Sequence, residues 1–248
     1  MPSPSSAPGA TPVVGASPRW VHLALRTPPW TTLGVTALAG ASMVCYPGGT
    51  VRDPGTRRYQ LAHNFLSDLG MTVAHNGRPN ALGAALFAGA MVLMVAGFGA
   101  TLAAFLALYA RPPGAPRFTR AAVRLTGALG LVVALAFGAV GFTPENAVLG
   151  LHVRVTLLAF FTVPLVIALL GVAARGTDAR HATESATWTL LAVALAAYAA
   201  LLHWGPPVDT GGRLTMYVVA QKAITVGATA VFLLQARRAR ARLGRPTT

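Results

Sequence analysis

The chain has 248 residues, of which 54% are apolar and only 10% are charged, and its formal net charge is +14. A soluble domain carries about 25% charged residues. With a mean hydropathy of +0.57, the composition excludes a water-soluble globule and points to an all-α, polytopic membrane protein with room for about six spans of roughly 20 residues.

Residues 1–28 read as a disordered cytoplasmic tail and lead-in. They begin rich in Pro, Ser, Ala and Gly, without the charged start and apolar core of a cleavable signal peptide. Six apolar segments follow, at residues 29–46, 81–110, 123–142, 151–174, 186–204 and 214–235, inside a transmembrane domain spanning residues 29–236. The first is the weakest and acts as an uncleaved anchor; the fourth contains Pro164. Glycines such as Gly83, Gly89, Gly97, Gly127, Gly130 and Gly138 are read as points of close helix approach. Cys45, the single cysteine, excludes an internal disulfide and reads as a small packing residue. Residues 237–248 form a basic cytoplasmic tail.

The longest polar connection lies between the first two segments. Tyr59, Ala62, Phe65, Leu66 and Leu69 recur there at helical spacing, with Arg58, His63, Ser67 and Asp68 on the other face. This predicts a short amphipathic outer helix over residues 59–69, lying in the interface or folded over the bundle and ended by Gly70.

The arginines give an orientation. Twelve of them flank the ends shared with both termini, against six on the opposite flanks, where Asp53, Asp68, Glu145 and Asp209 gather; only Asp178 and Glu184 face them across the membrane. The positive-inside rule then places both termini in the cytoplasm of a bacterial inner membrane. The tail cations are read as partners of anionic lipid headgroups rather than of nucleic acid. Association into a homo-oligomer is left open.

The outer half also collects the unusual polar residues: His63, Ser67 and Asp68; His75 and Asn76; Glu145 and Asn146; His152 and Arg154; His203; and Gln221 with Lys222. Lys222 would lie about 12 Å below the outer end of its helix. A cation at that depth needs a partner, with Asp68 or Glu145 as candidates. Ligand binding is therefore assigned to His63, Ser67, Asp68, Glu145, His152, Arg154, Gln221 and Lys222. His75 receives no role. No motif calls for a cofactor; the alternative is zinc held by His63, His152 and His203, although their spacing matches no zinc motif. His63 and Ser67 share a face at i and i+4, yet no nucleophile elbow or oxyanion element accompanies them.

Three motifs occur in order: His63-Asn-Phe-Leu-Ser-Asp-Leu-Gly70, then Gly141-Phe-Thr-Pro-Glu-Asn146 leading to His152, then Gln221-Lys222. Together they resemble the bacterial six-span family known as domain of unknown function nine-nine-eight, and more distantly the eukaryotic Frag/DRAM/Sfk membrane proteins. The chain departs from the family pattern at Thr143-Pro144-Glu145 and in having Lys222 where that family has Arg. The resemblance implies six spans and a link to lipid organisation, and it supplies no activity. The expectation is an integral membrane protein that binds a lipid headgroup or small polar ligand in an outer-facing pocket. The alternatives are a zinc-dependent intramembrane lipid hydrolase and a secondary transporter.

Overall fold

The computed structural model describes residues 17–110, 116–176, 182–208 and 211–244. Asp178, His181, Asp209 and Arg245 lie outside these, as does most of the N-terminal tail. Seven α-helices follow in order: α1 (Arg19–Ala24), α2 (Thr27–Cys45), α3 (Ala81–Tyr109), α4 (Arg117–Val140), α5 (Glu145–Arg175), α6 (Ala182–Trp204) and α7 (Gly211–Leu243). Among the described residues no strand forms; Val73 and Pro79 make one isolated bridge. Helices α3 to α7 are long and apolar enough to cross a membrane. Many of their large apolar side chains point outward, including Leu131, Leu135, Leu165, Leu190 and Val193. In water that surface would be unsustainable; in lipid it is the expected exterior. The protein is an all-α, multi-pass membrane bundle.

Helix α2 corresponds to the weak first segment. Its 19 residues are long enough, and Thr27, Thr31, Thr32 and Thr36 dilute its apolarity. It lies against α3 throughout. Thr31 faces Gly97, Gly34 faces Leu93, Leu38 faces Gly89, and Ser42 Oγ donates to the Gly83 carbonyl at 2.8 Å. Ascending one helix while descending the other, these contacts define an antiparallel pair. A Cβ at Gly97 would stand only 2.6 Å from Thr31 Oγ1, so the small residue sets the approach. The same device repeats where Gly130 meets Leu102 and Gly141 meets Met91 between α3 and α4. Phe137 with Phe160, Phe160 with Tyr198, and Trp188 with Phe232 continue the packing through α7.

The lead-in is partly structured. Val21 and Leu25 of the α1 region are fully buried and join the main core with Phe105, Ile167, Leu170 and Trp188. A second, smaller core at the opposite end gathers Tyr46, Tyr59, Leu69, Phe87 and Met91. Cys45 is exposed, contrary to its reading as a packing residue, because it ends α2 on the outward face.

The expected helix over residues 59–69 is realised only as a 3-10 helix at Ser67–Gly70. Gly70 does end it, and the residues before it form turns. The cause is side-chain competition for the backbone: Asn64 Oδ1 accepts from Gln60 N at 2.9 Å, and Tyr59 Oη donates to the Asn64 and Phe65 carbonyls. Upstream, Gly48 and Gly49 hold φ of 114° and 85°. At these values an L side chain is strained, and there is no room for one: a Cβ on Gly48 would be 2.2 Å from Thr56 O, and one on Gly49 2.3 Å from Asn76 N. The loop crosses itself at this point.

Candidate functional site at the loop end of the bundle

Residues 46–80 form a folded cap, with Asn64 at its centre. That side chain is fully buried and donates from Nδ2 to the Gly49 carbonyl at 2.9 Å and to Asp68 Oδ2 at 2.7 Å. Asp68, 2% exposed, also accepts from Phe65 N at 3.1 Å. His75 Nε2 stands 3.5 Å from the same Oδ2. That hydrogen bond to the carboxylate holds the His75 imidazolium above the usual histidine range, against the opposing effect of burial. Burial pushes the hydroxyls of Tyr46 and Tyr59 upward, so both remain neutral: Tyr59 donates to the loop carbonyls, and Tyr46 Oη accepts from His75 N at 3.4 Å. Their rings meet edge-on at 5.8 Å.

Helix α7 straps this cap down. Gln221 Oε1 accepts from Leu66 N at 2.8 Å, and Lys222 Nζ donates to the Asn64 carbonyl at 2.6 Å while lying 5.4 Å from the Tyr59 ring centroid. Neither carboxylate expected to pair with Lys222 does so directly; a main-chain carbonyl takes the ammonium, and Asp68 acts on it at longer range. Gly211 begins the helix, so Lys222 lies about 16 Å along its axis, deeper than expected. Helix α5 supplies another anchor: Asn146 Oδ1 accepts from Thr72 N at 2.9 Å, and its Nδ2 donates to Thr72 Oγ1 at 3.0 Å. Asn80 closes the far end by donating to the Leu69 and Met71 carbonyls.

Helix α5 is interrupted at Val148, where φ is −139° and ψ is 51°. The break sets the first turn, carrying Glu145, apart from the main span. Glu145 faces a cavity of about 290 Å³ that it shares with Asp68 and His75, walled by Val51, Phe65 and Val208, with Arg52 at its exposed side. Every bond to Asp68 falls on Oδ2, which leaves Oδ1 without a donor among the described residues. The Glu145 carboxyl likewise receives no hydrogen bond from them.

Of the eight residues assigned to ligand binding, the structure gathers Asp68, Gln221 and Lys222 in one network and places Glu145 in the lining of the cavity that Asp68 borders. His152 is buried nearby and donates from Nδ1 to the Thr143 carbonyl at 2.7 Å, so it staples the turn between α4 and α5. Ser67 opens the 3-10 helix and does not line the cavity. His63 and Arg154 are exposed and stand outside the network. His203 packs against Phe161 and Trp204. Among the described residues no group of three His, Cys, Asp or Glu side chains is arranged to hold a metal ion, so His63, His152 and His203 do not converge.

Sequence reasoning missed Asn64, Tyr46, Tyr59 and, above all, His75. One signal was available: the Pro47-Gly48-Gly49 sequence marks a tight crossing that brings residue 75 back onto residue 68. No family model, curated protein or solved structure matches the chain.

Proposed function

We propose that the protein is a six-span bundle of a bacterial inner membrane, both termini cytoplasmic, whose outer pocket binds a lipid headgroup or small polar ligand without chemical turnover. The observation that carries this is the cavity of about 290 Å³ between Asp68, His75 and Glu145. Its size approaches the lower end of ordinary ligand pockets, and a few convergent polar groups on partly apolar walls are what such pockets present. The strapped cap supports a preorganised site, since Lys222 and Gln221 hold the loop that carries Asp68.

Supporting six spans, α2 runs the full antiparallel course beside α3 at a length of about 28 Å, close to a hydrocarbon core of about 30 Å. Exposed Trp20 and Trp30 near one end, and Trp204 near the other, suit two interfacial belts. The basic last turns of α7 suit anionic headgroups on the cytoplasmic side. The three sequence motifs carry the proposed kinship with the nine-nine-eight family.

The test is to fill the cavity. Val208→Trp adds volume without altering a charge. Mass spectrometry of lipids and small molecules copurifying with the wild type should reveal a retained species that the variant loses at an unchanged melting temperature. Identical retention in both would refute the pocket.

A further inference from the structure

We propose that the cavity receives a protonated amine, with a phosphate or carboxylate of the same ligand directed to Arg52. This rests on the pocket reading above and supplies the chemistry of its ligand.

The argument is one of charge and donor count. Besides Arg52 at its exposed side, three ionisable groups reach the cavity from three elements: Asp68 from the 3-10 helix, His75 from the returning loop and Glu145 from the first turn of α5. Asp68 is compensated by His75 at 3.5 Å and, at longer range, by Lys222, whose ammonium is bonded to the Asn64 carbonyl. Glu145 has no such contact partner among the described residues. The wall therefore keeps one carboxylate that the His75 and His152 rings reach only at longer range, and a second oxygen, Asp68 Oδ1, awaiting a donor. An ammonium offers three donors and no acceptor, and matches both. A hydroxyl would leave the charge unmet, and an anion alone would be repelled by the Glu145 carboxylate.

Arg52 stands at the exposed edge, where a planar guanidinium suits a phosphate or carboxylate oxygen pair. Phe65 and Val208 in the same lining give an apolar surface for a short methylene spacer. The volume of about 290 Å³ equals about ten water molecules at the liquid's share of volume, enough for a group the size of phosphoethanolamine. The ligand is thus zwitterionic, either the headgroup of an aminophospholipid or a free small amine.

The test uses the full chain in detergent micelles and four probes in calorimetric titration: phosphoethanolamine, glycerol 3-phosphate, and short-chain phosphatidylethanolamine and phosphatidylglycerol. Each amine probe should bind at least tenfold more tightly than its glycerol counterpart. Glu145→Gln should remove that preference, and Arg52→Gln should weaken both members of each pair while keeping it. Tighter binding of the short-chain aminolipid than of phosphoethanolamine assigns the site to a lipid; equal binding assigns it to a soluble amine. Equal affinity for amine and glycerol probes, an unchanged preference in a folded Glu145→Gln, or binding of none of the four overturns the amine. The pocket itself then stands or falls separately on Val208→Trp. If Glu145→Gln does not fold, the wild-type ranking of the four probes decides.

Discussion

At the end of the bundle where α6 begins, the buried Glu184 carboxylate meets the Arg242 guanidinium directly, helix to helix. Gln235 Nε2 donates to the Glu184 carbonyl, Arg238 reaches Thr187 Oγ1, and Trp188 Nε1 donates to Tyr109 Oη, so the surrounding side chains also bond to one another. At the loop end, Lys222 and Asp68 are each held by loop groups instead: one by a carbonyl, the other by an amide side chain, a backbone N–H and His75. A direct ion pair satisfies both charges, and the acceptor left over beside it, Gln235 Oε1, is neutral and buried. A charge held by loop groups keeps spare acceptors, and at this end they border a cavity. The first arrangement is a clamp; the second has the form of a binding site.

That contrast can be broken most severely at the clamp. Arg242→Ala removes the guanidinium that meets the buried Glu184 carboxylate, and truncating one partner of a buried pair costs about 3–5 kcal/mol. Because the Arg242 side chain is 33% exposed, the lower figure of about 3 kcal/mol applies; equilibrium unfolding in mixed micelles should read it as a global loss. Asn64→Ala removes three cap hydrogen bonds and should cost about 2 kcal/mol. Hydrogen exchange should place this loss in residues 48–76 and leave α6 protected. Lys222→Met removes one charge-assisted bond to the cap, worth about 1.5 kcal/mol. It should raise exchange at residues 59–66 alone, and an equal rise around Glu184 would show that the two ends are one cooperative unit.

The smallest effect is a pH dependence. His75 is raised above its unfolded value of about 6.5. Its contribution is therefore complete below that pH and is lost as pH rises through the higher folded value. Cap protection in the wild type should fall across that window, while His75→Gln should show a flat profile there. A fall in the variant identical to that of the wild type would assign the titration elsewhere.

The helices were legible because each long apolar run has one low-energy outcome in lipid, and the ends of α3 and α6 fall close to the expected boundaries. Asp68, Gln221 and Lys222 were legible as polar residues in costly places. The cap was not. Helical spacing over residues 59–69 satisfied a periodicity test, yet Asn64 and Tyr59 capture the backbone groups that a helix would use. His75 looked like a loop residue because its partner lies across a chain crossing, a closure set by two glycines with positive φ. The clamp was missed for a related reason: Glu184 and Arg242 were weighed only as topology signals, and the antiparallel return of α7 brings them together.

The straps from α7 also impose an order of events. Leu66 and Asn64 find their partners 155 and 158 residues later. At synthesis rates of about 5–20 residues per second, the cap waits roughly 10–30 seconds after leaving the translocon before its anchors exist. Closure of the first loop is thus a natural reporter that the last helix has been inserted, and a chain truncated before Gln221 would display that loop unfastened at the membrane surface.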